Sequence, residues 1–202
     1  MNMIQLGVFY VCTLLLVTCA LAADNHYETV MQQKTTFDSL KSPAIRQSLQ
    51  KSLNTAGDAQ REMEHFQDKV VRGDIPIVNN NGIWCAVINE SKTITKLANY
   101  ASKDGPMTYF VKMVYTDESH KARLNERSYH LKFFANGKLA GYMRGDMQEM
   151  IEYHSDGKLK SFSSKTGNSW GTADWDEKDG KLVNDSSSIG TVIDKGTPVV
   201  TP

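Results

Sequence analysis

The chain has 202 residues, with 23 Lys and Arg against 23 Asp and Glu, a length that supports one respectable hydrophobic core rather than two full domains. The balanced charge excludes a nucleic-acid footprint, which needs a concentrated excess of cations to neutralise phosphates.

No charged side chain precedes Asp24, and Val11 to Val17 form an apolar centre followed by Ala20-Leu21-Ala22-Ala23. An apolar stretch and then small residues that a signal peptidase accepts make residues 1–23 a signal peptide, with cleavage expected after Ala22 or Ala23. The mature chain is therefore expected to be secreted or periplasmic. The leader lacks the usual Lys or Arg at its start, and two alternatives would hold the chain at a membrane. One is retention of the leader as an anchor, since residues 4–23 are about long enough to cross a bilayer. The other is acylation at Cys19, because Leu16-Val17-Thr18-Cys19 resembles a lipobox.

Cys12 and Cys19 fall in the leader, so Cys85 alone remains in the mature chain and no intramolecular disulfide forms. It sits within Ile83-Trp84-Cys85-Ala86-Val87-Ile88, where cysteine behaves as a small buried hydrophobe. A nucleophilic thiol would need an electropositive, partly exposed setting, which no neighbour in sequence supplies.

Residues 24–76 read as a helical segment. Tyr27, Val30, Met31, Phe37 and Leu40 form a first apolar stripe. Ser42-Pro43 then supplies an N-cap and a proline at the first helical position, followed by Ile45, Leu49 and Leu53. A break is expected from Asn54 to Gly57, after which Ala59, Met63, Phe66 and Val70 recur with Asp58, Arg61, Glu62, Glu64 and Lys69 off the stripe. Arg72-Gly73-Asp74 spells an integrin-type tripeptide but reads first as a turn. With Pro76 and Asn79-Asn80-Asn81-Gly82 it marks the change from helix to strand.

Residues 77–184 read as an antiparallel β domain. Ile83 to Ile88 and Thr93 to Tyr100 look like strands. In Met107 to Thr116 the residues Met107, Tyr109, Val111, Met113 and Tyr115 take one face and Thr108, Lys112 and Thr116 the other, as in a half-buried strand. Residues 117–127 are mostly polar and read as an exposed connection.

From Tyr129 the chain repeats itself. Leu131-Lys-Phe-Phe-Ala-Asn136-Gly137-Lys138-Leu139 is followed by Ile151-Glu-Tyr-His-Ser-Asp156-Gly157-Lys158-Leu159, and then by Ala173-Asp-Trp-Asp-Glu-Lys-Asp179-Gly180-Lys181-Leu182. Each unit is a strand, an Asn-Gly or Asp-Gly reversal and a returning strand, and those dipeptides favour a type I′ hairpin turn. The third unit has one extra residue before its glycine, which predicts a bulge or a longer loop. Residues 185–202, rich in Ser, Thr, Gly and Pro, are expected to be a disordered tail.

The units in 129–184 resemble the MORN-type repeat variant of bacterial proteins described as toxin-antitoxin antitoxin components. The second unit has His154 where the first has Phe134, and the glycine-tryptophan pair of that pattern survives only as Ser169-Trp170-Gly171. The resemblance implies a β-meander whose hairpins stack their aromatic faces, with no cofactor or reaction attached.

Candidate chemistry is sparse. Asp174, Asp176 and Asp179 cluster as calcium ligands would, but Lys178 interrupts them and the glycine comes one place late, so a polar hairpin tip is the expected reading. Cys85 with a histidine and Asn125 or Asp146 would be a thiol hydrolase, and Glu149 with Glu152 a glycosidase pair; nothing local supports either. No catalytic, cofactor or metal residue is assigned. The aromatic side chains Tyr142, Tyr153, Phe162, Trp170 and Trp175 are the candidate binding surface, unless the helical segment covers that face and makes them structural.

The expectation is therefore an α+β fold, N-terminal helices followed by an antiparallel β-meander of hairpin repeats. Its expected role is that of an exported non-enzymatic protein engaging a protein, peptide or glycan. The alternatives are an exported hydrolase with a site assembled from distant residues and a lipid-anchored envelope scaffold.

Overall fold

The computed structural model describes residues 39–145, 148–166 and 169–189. The expected leader, the stripe from Tyr27 to Phe37 and the tail beyond residue 189 lie outside the described residues.

Helix α1 spans Pro43–Val71. Ser42 caps it by accepting the Ile45 N–H on its hydroxyl at 3.4 Å, and Pro43 occupies the first turn, where its missing donor costs nothing. The helix runs unbroken through 54–57, which corrects the expected break. A glycine inside a helix costs only about 1 kcal/mol. The buried stripe on either side of Gly57, from Ile45, Leu49 and Leu53 through Ala56 and Ala59 to Met63, Phe66 and Val70, outweighs that. Gly73, at φ +81°, ends the helix: its N–H reaches Val70 O and that of Asp74 reaches Lys69 O at 3.0 and 2.9 Å, a Schellman cap. Arg72-Gly73-Asp74 is thus the helix terminus, with the Arg72 guanidinium 3.3 Å from its own Asp74 carboxylate. No described helix is long and apolar enough to cross a membrane.

Ten strands follow: β1 (Val78–Asn80), β2 (Ile83–Ser91), β3 (Ile94–Tyr100), β4 (Met107–Val114), β5 (Tyr129–Phe133), β6 (Leu139–Arg144), β7 (Glu149–Tyr153), β8 (Leu159–Thr166), β9 (Ser169–Trp175) and β10 (Leu182–Ile189). Each pairs antiparallel with the next, giving one open meander in strict chain order. The expected α+β architecture is present, with one described helix ahead of the sheet. Strand β10 takes in residues 185–189, which the sequence reading gave to the tail.

The type I′ turn occurs, but at a different hairpin from those expected. Asn81 and Gly82, between β1 and β2, both have positive φ, 51° and 86°, as type I′ requires. In the repeats only the glycine is left-handed, at 81° for Gly137 and 96° for Gly157. The Gly137 N–H returns to Phe134 O and the Phe134 N–H to Lys138 O, each at 2.9 Å, and His154, Gly157 and Lys158 reproduce the pattern. That is a three-residue loop closed by a left-handed glycine. In the third unit Gly180 N–H reaches back one residue further, to Asp176 O, which is the longer loop the extra residue predicted. In all three, the Asn136, Asp156 or Asp179 side chain accepts the N–H of the lysine two residues on at 3.0 Å. Open space surrounds the Cβ position of Gly137, so Gly137→Ala is expected to lower stability by about 1 kcal/mol through backbone strain alone, read as a fall in the urea midpoint.

Strand pairing aligns Ala86, Ala98, Phe110, Leu131, Tyr142, Ile151, Phe162, Ala173 and Asp185 in one row across β2 to β10. The first eight are buried, and this inner face is the one α1 covers. The helix crosses the strands against their order. Lys41 and Ser42 donate their N–H groups to Asp185 on β10 at 2.7 and 3.1 Å, and a Cβ on Gly171 of β9 would meet Ile45 at 3.1 Å. Further along, Phe66 packs edge-on against Phe110 of β4, and Gln67 accepts from the Tyr100 hydroxyl of β3 at 2.7 Å. A helix of 29 residues is about 43 Å long, and ten strands spaced by about 4.8 Å span a similar distance. One helix therefore suffices to cover the sheet.

Candidate binding surface

The covering helix decides the fate of the candidate aromatics. Tyr142, Phe162 and Trp175 are 1%, 1% and 4% exposed and belong to the core beneath α1, so as a binding surface they are corrected to structural residues. Tyr153 is half-buried on the same face. Only Trp170 looks outward, 40% exposed, with the Lys165 ammonium 5.4 Å from its ring centroid.

The inner face also holds a charged cluster that local sequence conceals. Lys96, Lys112 and Tyr129 are register partners on β3, β4 and β5, and all three converge on Glu62 of α1. Lys96 Nζ lies 2.7 Å and Lys112 Nζ 2.9 Å from Glu62 Oε1, while the Tyr129 hydroxyl donates to Oε2 at 2.7 Å. Lys96 also meets Glu90 at 2.7 Å, so two cations face two carboxylates. Burial alone would raise the Glu62 carboxyl, but hydrogen bonds from Lys112, Lys96 and Tyr129 reverse that and bring it to about 2. Burial would likewise discharge Lys96, and Glu62 and Glu90 instead hold its ammonium above its ordinary range.

A depressed folded-state carboxyl contributes stability that is complete above its ordinary 4.5 and lost as pH falls through about 2. Up to about 3 kcal/mol is expected to disappear over that interval. Urea midpoints at stepped pH would show it, and Glu62→Gln would flatten the decline.

The other chemical candidates are kept apart. Cys85 is buried beside Val78 and Asn99, while His130 lies three strands away, about 14 Å by strand spacing, and its Nδ1 is hydrogen-bonded to the Tyr109 hydroxyl. His154 Nε2 contacts Trp175 O at 3.3 Å. Asp146 lies outside the described residues. Glu149 pairs with Arg144 on the inner face, whereas Glu152, three residues on and so across the pleat, holds Lys160 and Ser161 at 3.3 and 2.9 Å. These two carboxylates cannot flank one bond. Asp174 contacts Asn184, Asp176 caps its own hairpin loop, and among the described residues no three His, Cys, Asp or Glu side chains gather as a metal site requires.

The outer face presents what the sequence reading missed. In β4 the apolar set Tyr109, Val111 and Met113 points away from the helix, with Val111 itself buried and the other two half-buried, while Phe110, Lys112 and Val114 lie on the side that faces α1. Strand pairing extends this outward set into a row of Val87, Leu97, Val111, His130, Met143 and Met150 over β2 to β7, which continues as Ser163, Thr172 and Ser186 over β8 to β10. Along this row the β2–β7 half is apolar and the β8–β10 half polar, while the outward row beside it, Cys85, Asn99, Tyr109, Lys132, Gly141 and Glu152, is largely polar. At its β1–β2 border Val78, Ile83 and Val87 are 49%, 55% and 44% exposed. An antiparallel sheet with one solvated face normally shows polar residues there; here Val87 is exposed, whereas Val111 and Cys85 on the same face are buried. No family model, curated protein or solved structure matches the chain.

Proposed function

We propose that the protein is an exported, non-enzymatic binding protein that holds a polypeptide partner against the outer face of its sheet, over the apolar half from β1 to β7. The observation that carries this is the in-register row from Val87 to Met150 on the face away from α1, in which Val111 is buried and the others are at least partly exposed, together with exposed Val78 and Ile83 at its border, since exposed apolar surface on a folded chain marks an interaction site. Methionine side chains, two of them in that row, adapt to varied apolar partners. A polypeptide is favoured over a glycan because the rings that would stack on sugars, Tyr142, Phe162 and Trp175, lie in the core. Export rests on the apolar leader and its Ala20 to Ala23 exit, and the hairpin units resembling MORN-type repeats supply the platform without adding a reaction.

Photo-crosslinking tests the reading. A benzophenone side chain at position 87 or 143 is expected to yield a covalent adduct with a polypeptide, and the same group at Thr172, in the polar half of the same row, none. Absence of any adduct from 87 and 143 would remove the proposal.

A further inference from the structure

Beyond a polypeptide partner, we infer that the outer face carries a soft metal site, a three-coordinate position for a singly charged copper ion between His130 of β5, Met143 of β6 and Met150 of β7.

Strand pairing sets these three side by side. His130 is the register partner of Met143, and Met143 that of Met150, and all three are half-buried on the face away from α1. Residues directly opposed in an antiparallel pair have Cβ atoms about 5 Å apart, which leaves the outer two about 10 Å from each other. An imidazole leaning in from β5 and a thioether from β7 therefore meet over β6, where the Met143 thioether supplies a third donor from below. The ground beside Met143 is open. Gly141 lies two residues earlier and on the same outward side, and a Cβ there would come within 4 Å of a single atom, the Ile151 carbonyl oxygen at 3.3 Å, and of no side chain. Along the row the donors stop at this place, since Val111 precedes His130 and Ser163 follows Met150.

The imidazole is also held as a ligand is held. Its Nδ1 is hydrogen-bonded to the Tyr109 hydroxyl of β4, which fixes the ring and makes Nε2 the nitrogen that ligates, the usual division of labour in a metal-binding histidine.

Donor chemistry names the ion. Thioether sulfur binds soft cations and imidazole suits copper, whereas Ca2+ and Mg2+ take oxygen donors and zinc takes thiolates, imidazoles and carboxylates. Two thioethers and a neutral imidazole bring no negative charge, and a singly charged ion loses less hydration than a divalent one on entering a half-buried place without a counter-charge. Cu(I) meets all of these conditions. Cys85, the free thiol of the described residues, stands three strands from His130, about 14 Å, and takes no part.

Titration of the full chain with Cu(I), under ascorbate and without oxygen, against a chromophoric Cu(I) chelator tests the site. One Cu(I) per chain is expected, with X-ray absorption showing one nitrogen and two sulfur neighbours. Met143→Leu and Met150→Leu conserve volume and should retain native circular dichroism, and each is expected to weaken binding at least about tenfold. His130→Gln should weaken it similarly and remove the nitrogen neighbour, while Cys85→Ser should leave the affinity unchanged. A chain that takes no Cu(I), a folded variant carrying both methionine changes that binds as tightly as wild type, or loss of binding on Cys85→Ser alone would each overturn the inference. Cu(I) bound as expected with no photo-crosslinked adduct from positions 87 and 143 would leave the metal site standing and remove the polypeptide partner; an adduct from a chain that takes no Cu(I) would do the reverse.

Discussion

Replacing Glu62 with glutamine is expected to destabilise the fold by about 3 kcal/mol or more, one of the two largest effects anticipated for a single side chain. Glutamine keeps the shape and removes the charge, leaving Lys96 buried with Glu90 alone and Lys112 directly opposite it on the neighbouring strand. Like charges facing each other across an antiparallel pair repel, and an ammonium out of water without its counter-ion is costly. The loss should appear as a lower urea midpoint with an unchanged slope, since the surface exposed on unfolding is the same. Replacing Glu62 with leucine together with Lys96→Met and Lys112→Met is expected to recover most of it, because apolar side chains of similar volume often substitute for buried ion pairs without loss. A cost for Glu62→Gln below about 0.5 kcal/mol, the range of an ordinary surface change, would mean that both lysines reach solvent and that the cluster does not anchor α1.

That cluster also marks where sequence reasoning stopped. Ser42-Pro43 and the stripe from Ile45 to Val70 were sufficient to place α1, because capping and periodicity act within a few residues. The Asn-Gly and Asp-Gly reversals placed the hairpins for the same reason. Glu62 looked like one more solvated carboxylate off the stripe, and Lys112 like a solvated lysine on the polar side of β4. Their partnership runs between residues 50 apart and becomes visible only once the meander has brought β3, β4 and β5 under the helix. The aromatics were ambiguous in the same way. Alternation shows that Tyr142 and Phe162 share a face with neighbours two positions away, but which face a distant helix covers is a tertiary fact. The unbroken course of α1 past Gly57 is another: a local helix-breaking signal of about 1 kcal/mol yields to a row of side chains buried along the whole sheet. The turn type in the repeats was misjudged because the dipeptide alone does not fix loop length, whereas the preceding residue, Ala135 or Ser155, belongs to the loop as well.

Phe110→Ala is expected to cost about 4 kcal/mol, and its size follows from where the ring lies. Phe110 is fully buried in the inner row, its ring centroid 5.2 Å from that of Phe66 on α1 and 6.2 Å from that of Tyr129 on β5. Across the pair on β3 its register partner is Ala98, which has no side chain long enough to swing into the space a missing ring would leave. The cavity would therefore persist, adding its own penalty to the lost transfer of the ring from water. Phe110→Leu refills most of the volume and should cost less than half as much, whereas Trp170→Ala, on the outer face and partly in water, should remain within about 0.5 kcal/mol of wild type. Chemical denaturation of the three variants separates the two faces of the sheet. If Phe110→Ala proved no worse than Trp170→Ala, α1 would not lie across the inner face.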